Sequence, residues 1–203
     1  LLETAVWEAE GTLPKLSVQQ IIDCSREEGN EGCDAGSALG TLQYVSKNGV
    51  VASQSYPYTA RAGTCKKQIV SDRSKQIYQP GDIGPGDLIT LEPRRLDQLL
   101  LHLQEGPLSI AVNTKPANWK SYKGGILEGF PCDGPPDHAV LLVGYGVDKA
   151  KGKRQVKPEN SWGTSWGENG YARIIRDPEA KIGSGFCNMA QLGAVRVTLV
   201  HPT

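Results

Sequence analysis

The sequence predicts an α+β fold in two lobes, with helices first and strands after. Residues 1–50 read mostly as amphipathic helix, and three later segments read as apolar strands. Long connections separate them. The 203 residues include 24 Gly and 13 Pro, a turn-rich content that argues against a helical bundle. That length provides one large or two small domains with a sizeable core.

Residues 1–10 place Leu2, Val6 and Ala9 at helical spacing, and Gly11 stops the run. The chain does not start with Met, and its first residues already read as helix, so its start is expected inside a folded unit. In "LSVQQIIDC", Ser17 followed by Gln20 fits a capping box with Leu16 ahead of it, and a short helix should end near Cys24. "GSALGTLQYVSKNG" sets Ala38, Leu42 and Val45 on one face and stops at Asn48 and Gly49. Residues 51–90 are loop-rich. "EPRRLDQLLLHLQEG" predicts a helix with Pro93 near its first turn, a Leu96, Leu99, Leu100 and Leu103 stripe, and Gly106 at its end. "PLSIAVNT", "HAVLLVGYG" and "GYARIIRD" predict strands. The basic stretch "VDKAKGKRQVKP" predicts a solvated loop. The expected lobes are 1–90, helical, and 91–203, β-rich.

Composition excludes several functions. Lys plus Arg and Asp plus Glu balance at 22 each, so charge gives no reason to expect nucleic acid or an anionic membrane as partner. No apolar run approaches the ~20 residues of a membrane-spanning helix. The cysteines at 24, 33, 65, 132 and 187 form no CxxC pair, and the histidines stand at 102, 138 and 201. Spacing for a structural zinc site is lacking, and neither metal nor cofactor is expected. Scattered cysteines fit disulfides in an oxidising compartment, or buried thiols in a reducing one. If disulfides form, the odd count leaves one cysteine without a partner.

"DHAVLLVGYG" sets His138, preceded by an acid, at the head of an apolar strand. Alone, such a histidine is either structural or a base. "ENSWGTSWGENGY" changes the weighing: Asn160 stands just ahead of two Trp-Gly units four residues apart. An Asn oxygen accepts from one imidazole N–H and so leaves the other ring nitrogen for a nucleophile.

"DHAVLLVGYG" followed by "NSWGTSWGENGY" resembles the papain-like cysteine proteases, which include the cathepsins. Other stretches along essentially the whole chain fit the same family. They are "LSVQQIIDC", "GCDAGS" (the family writes "GCNGG"), "YPY", "GPLSIAV", "YKGGI", and a cysteine six residues before the histidine. The resemblance implies a papain-like two-lobed fold, with a mainly helical first lobe and an antiparallel, barrel-like second lobe. It implies a cysteine endopeptidase with His138 as base and thiolate partner, and Asn160 as its orienter. Trp162 would shield their hydrogen bond, and Trp166 would wall the leaving-group side. Gly36 would offer its backbone to an extended peptide or protein substrate. Ala111, Ala139 and Leu192 would line an apolar side-chain pocket. Cys24 would pair with Cys65 and Cys132 with Cys187, leaving Cys33 for a cysteine upstream. An inhibitory propeptide and a lysosomal or secreted location follow as expectations.

The family's nucleophile lies in "Q-x-x-x-C-G-S-C-W-A-F". No such segment occurs in these 203 residues. The resemblance puts it about two helical turns before the first helix, at ~3.6 residues per turn. The isolated chain is therefore expected to be inactive. The alternative is a papain-like chain without catalysis, serving as a structural or binding subunit. Two departures bear on it: before Asn160 the chain reads "RQVKPENSWG", where Pro158 cannot donate to a sheet and Glu159 adds an acid. Both are expected to disturb strand and site. Ala35, in place of a family glycine, could crowd the backbone beside Gly36.

Overall fold

The computed structural model of the chain describes residues 1–177 and 179–198; residues 199–203 of the expected second lobe lie outside them. The chain divides into two compact units. Among the described residues, one comprises Leu2–Ile89 with Val197 and Thr198, and the other Thr90–Arg196 with Leu1.

The first unit is built on helices α1 (Leu2–Glu10), α2 (Val18–Cys24) and α3 (Ala38–Asn48). α1 buries Leu2, Ala5 and Val6, and its Gly11 stop adopts a φ of 69°. Ser17 caps α2 by accepting from the Gln20 N–H at 3.0 Å. The reciprocal half of the expected box does not form. The Gln20 side chain turns inward instead, bonding the Val51 N–H, the Gly49 carbonyl and the Tyr44 hydroxyl. Its amide thus ties α2 to α3 and to the short strand β1 (Val50–Val51), and a fully buried glutamine is satisfied on three sides. After helix α4 (Lys67–Val70), β1 pairs with β2 (Gln76–Tyr78). The Cys24–Cys65 disulfide closes the loop between α2 and α4.

Strand β3 (Leu88–Leu91) leads to helix α5 (Leu96–Leu103). Pro93 lies ahead of α5 rather than in its first turn, because Arg94 takes a φ of 63° and breaks the helical path between them. Leu99 and Leu103 are the buried members of the leucine stripe. The second unit carries strands β4 (Leu108–Val112), β5 (His138–Asp148), β6 (Lys153–Glu159), β7 (Ile174–Ile175) and β8 (Ala194–Val197), with the short helix α6 (Ala117–Lys120). The sheet order is β3-β8-β4-β5-β6-β7. The fold is α+β as expected, but the barrel expectation is corrected: the sheet stays open. Its end strand β7 is two residues long; it pairs with Gln155 and Val156 of β6 on one side and bridges Leu127, not β3, on the other, so no barrel closes.

The basic stretch is also corrected, from loop to strand. Residues 148–153 make a hairpin turn in which the Asp148 carboxylate accepts from the Ala150 and Lys151 N–H groups, and Gly152 takes a φ of 64°. β6 then runs antiparallel to β5 as far as Glu159. Pro158 is accommodated: the ladder shifts between Leu142 and Gly144 opposite it, leaving Val143 as an extra residue. The Pro158 carbonyl accepts from the Ala172 N–H at 3.0 Å. The expected disturbance of the strand is thus absorbed by a bulge on its neighbour.

Candidate active site

In the β4–β5 ladder, Leu108 faces Leu142, Ile110 faces Val140, and Val112 faces His138. Directly opposed residues share a sheet face, and residues two apart stay on it. His138 is therefore the last member of the core-facing row, half-buried where that row ends. Its backbone approach is clamped. The Asp137 N–H donates to the Val112 carbonyl, and the Asp137 carboxylate accepts from the Thr114 N–H and hydroxyl at 2.8 and 3.0 Å.

Asn160 follows β6 directly and is 9% exposed. Its N–H donates to the Gly170 carbonyl, which fixes the start of the 160–170 loop. Its Oδ1 lies 2.8 Å from His138 Nε2 and accepts the Ser161 N–H at the same distance. A backbone N–H needs an acceptor, so the amide oxygen, not its nitrogen, faces the imidazole. Asn160 Nδ2 is buried and has no hydrogen-bond partner among the described residues. Glu159 leaves this pair intact: it is exposed and opposes Leu141 and Tyr171.

An aromatic series backs the pair. The Trp162 ring lies 5.1 Å from His138, Trp166 stands edge-on to Trp162 at 5.4 Å, and Trp119 stacks on Trp166 at 6.0 Å. Trp162 is 37% exposed and Trp166 6%. Trp166 thus supports Trp162 from beneath, and its Nε1–H donates to the Trp119 carbonyl. Gly167, with a φ of 58°, has no room for a side chain: a Cβ would stand 2.5 Å from the Tyr171 carbonyl oxygen.

The loop is tethered on its far side by Arg173, which forks onto the Glu168 carboxylate and bonds Asp148. Burial pushes the Glu168 carboxyl upward, but Arg173, the Gly125 N–H and Lys157 together outweigh it and hold the group below its usual value. Asp148 is likewise held low, first by the Lys151 N–H, with Arg173 adding to it. Carboxylates with depressed values stabilise the fold above their usual range and lose that effect as pH falls through the folded values. Arg173→Met is therefore expected to lower the melting temperature by a few degrees at pH 7 and far less at pH 3. Calorimetry of both proteins at the two pH values checks this, and an equal drop at both would remove the ion pairs as the cause.

Ala111 and Ala139 are direct partners across β4 and β5, on the face opposite His138. Leu192 is 64% exposed, just before β8. In the first unit, Gly36 is exposed, and a Cβ there would stand 2.8 Å from the Oδ1 of buried Asn30, which accepts from the Ser37 N–H. Gly36 N–H and C=O take no partner among the described residues. Ala35 is exposed, and its carbonyl accepts from Glu31. Cys132 is bonded to Cys187, and Cys33 is free and exposed. No three His, Cys, Asp or Glu side chains among the described residues are placed to hold a metal. Sequence reasoning missed Thr114, Trp119 and Arg173; only the acid beside His138 signalled the first of these.

A histidine–asparagine pair backed by tryptophan, on this fold, defines a cysteine-protease class. A model of the papain family cysteine proteases matches residues 1–195, and the chain belongs to that family. Caricain of Carica papaya is 41% identical over 158 residues, 78% of this chain and 42% of that protein. Cathepsin L2 of Homo sapiens is 34% identical over 184 residues, 87% of this chain and 52% of that protein. The chain thus spans about half the length of these curated relatives. Among solved structures, the bromelain protease from Ananas comosus with the E64 inhibitor superposes with a TM-score of 0.81 at 31% identity, covering 98% of this chain and 84% of that one.

Proposed function

We propose that this chain is part of a cysteine endopeptidase in which His138 and Asn160 serve a thiolate from outside these 203 residues. The observation that carries the reading is the 2.8 Å contact of His138 Nε2 with the Asn160 oxygen. It keeps the proton on Nε2 and leaves Nδ1 for the nucleophile. A thiolate paired with the protonated imidazole attacks the substrate carbonyl carbon. Nδ1 passes its proton to the leaving amine as the C–N bond breaks. Water, deprotonated by Nδ1, then hydrolyses the thioester and restores the thiol. Trp162 keeps water from the His–Asn hydrogen bond. Gly36 supplies backbone groups to an extended substrate. Ala111, Ala139 and Leu192 favour an aliphatic or aromatic substrate residue. The two disulfides fit an oxidising compartment, and the proposed setting is a lysosome or the cell exterior, with an inhibitory propeptide in the precursor.

Four of the five cysteines lie in disulfides and the free Cys33 stands in "GCDAGS" rather than in the family's nucleophile motif, so the isolated chain is expected to hydrolyse no peptide. The full-length protein should cleave peptides and lose that activity on thiol alkylation. Turnover by the isolated chain would refute the external nucleophile. A full-length protein that binds peptides without cutting them would favour the non-catalytic alternative.

A further inference from the structure

The segment beside the aromatic series carries a charge that the proposed chemistry does not use. Lys115 follows Thr114, whose N–H and hydroxyl clamp Asp137 next to His138. Lys120 ends α6, one residue after Trp119, which stacks on Trp166. Lys123 Nζ reaches the Ser165 carbonyl at 3.4 Å, within the loop between Trp162 and Trp166. All three lysines are exposed. Among the described residues, none of the three has a carboxylate within salt-bridge distance. Of the acids flanking this segment, Glu168 is charge-paired with Arg173, while the Asp137 carboxylate is turned onto the Thr114 N–H and hydroxyl and keeps its charge. Asp133 accepts from its neighbour Cys132 N–H, and Glu159 opposes Tyr171 at the end of β6.

We propose that Lys115, Lys120 and Lys123 form a cationic rim that selects acidic residues in the substrate segment lying over Trp162. The inference rests on the peptidase reading and names the substrate class that this site prefers. Lysine suits the role because a flexible ammonium acts as a point charge and reads a carboxylate's sign rather than its geometry. The screening length is about 10 Å at 0.1 M salt, so the rim acts on a peptide docked beside it. Because the whole chain is neutral, the preference belongs to this place and not to a general attraction for anions.

The test measures binding, so that it stays separate from cleavage. Full-length protein carrying His138→Ala is titrated with labelled decapeptides that differ only in bearing Glu, Gln or Lys at the same positions. The Glu peptide is expected to bind about tenfold more tightly than the Lys peptide at low salt, with most of the gap lost in 0.5 M salt. Each of Lys115→Gln, Lys120→Gln and Lys123→Gln should narrow the gap by about 1.5- to 5-fold, and the triple variant should close it. These positions are exposed, so an unchanged melting temperature serves as the folding control. Equal affinities, or a gap that survives the triple variant, would overturn the rim. An acid preference in a full-length protein that never cleaves would sink the peptidase reading alone; cleavage indifferent to acidic residues would sink the rim alone.

Discussion

His138→Ala in the full-length protein is expected to reduce peptide hydrolysis by about 10⁴-fold or more. General acid–base catalysis alone supplies ~10²–10⁴, and removing one member of a nucleophile–base unit typically costs more, because the nucleophile fails with its base. In the proposed mechanism the thiol loses with the imidazole both its ion-pair partner and the proton donor for the leaving amine. Asn160→Ala should cost less, about 10- to 100-fold, since it removes one hydrogen bond to a charged ring worth ~1.5–3 kcal/mol. The order of the two effects matters as much as their size. In the proposed mechanism His138 does the chemistry, while Asn160, whose oxygen also accepts from the Ser161 N–H, sets the orientation of the ring. Measured kcat/KM for both variants, normalised to thiols titrated by alkylation, decides the matter. Turnover of the His138 variant within tenfold of the parent would remove it from the mechanism.

The site was legible because its two halves sit in short, unusual motifs. "DHAVLLVGYG" and "NSWGTSWG" name His138, Asn160 and both tryptophans without any knowledge of the sheet. What brings them together is long-range, and only part of it shows in the sequence. The β4–β5 register puts His138 at the end of the core row, and that follows from alternation once the strands are paired. β6 hid itself. Its exposed lysines and Pro158 read as loop, yet a strand needs only one face inward, and Val156 and Pro158 supply it. The capping box at Ser17 was half right, because spacing cannot tell a Gln that reaches back to the cap from one whose three bonds lie inward on Gly49, Val51 and Tyr44. Trp119 carried no motif at all, and its role comes wholly from packing.

Trp119→Ala should give the largest loss of stability. The ring is fully buried, its Nε1–H lies 3.2 Å from Cys187 Sγ, and its carbonyl holds Trp166. Emptying such a site typically costs ~3–5 kcal/mol, because the transfer energy is lost and a cavity remains. In a chain of this length that is a fall of about 10 °C or more in melting temperature. The loss should also reach the site. Trp119 braces Trp166, Trp166 braces Trp162, and Trp162 lies on His138. Trp119→Phe keeps a ring against Trp166 but not the Nε1–H, so it should recover most of the packing while leaving Cys187 without that donor. Calorimetry of both variants, with the His138 ring proton shifts followed by NMR, separates the two consequences. A Trp119→Ala protein that melts within 2–3 °C of the parent, an effect of roughly 1 kcal/mol, would show that this ring is not the brace of the site. A destabilised protein with unmoved His138 shifts would confine its role to the core.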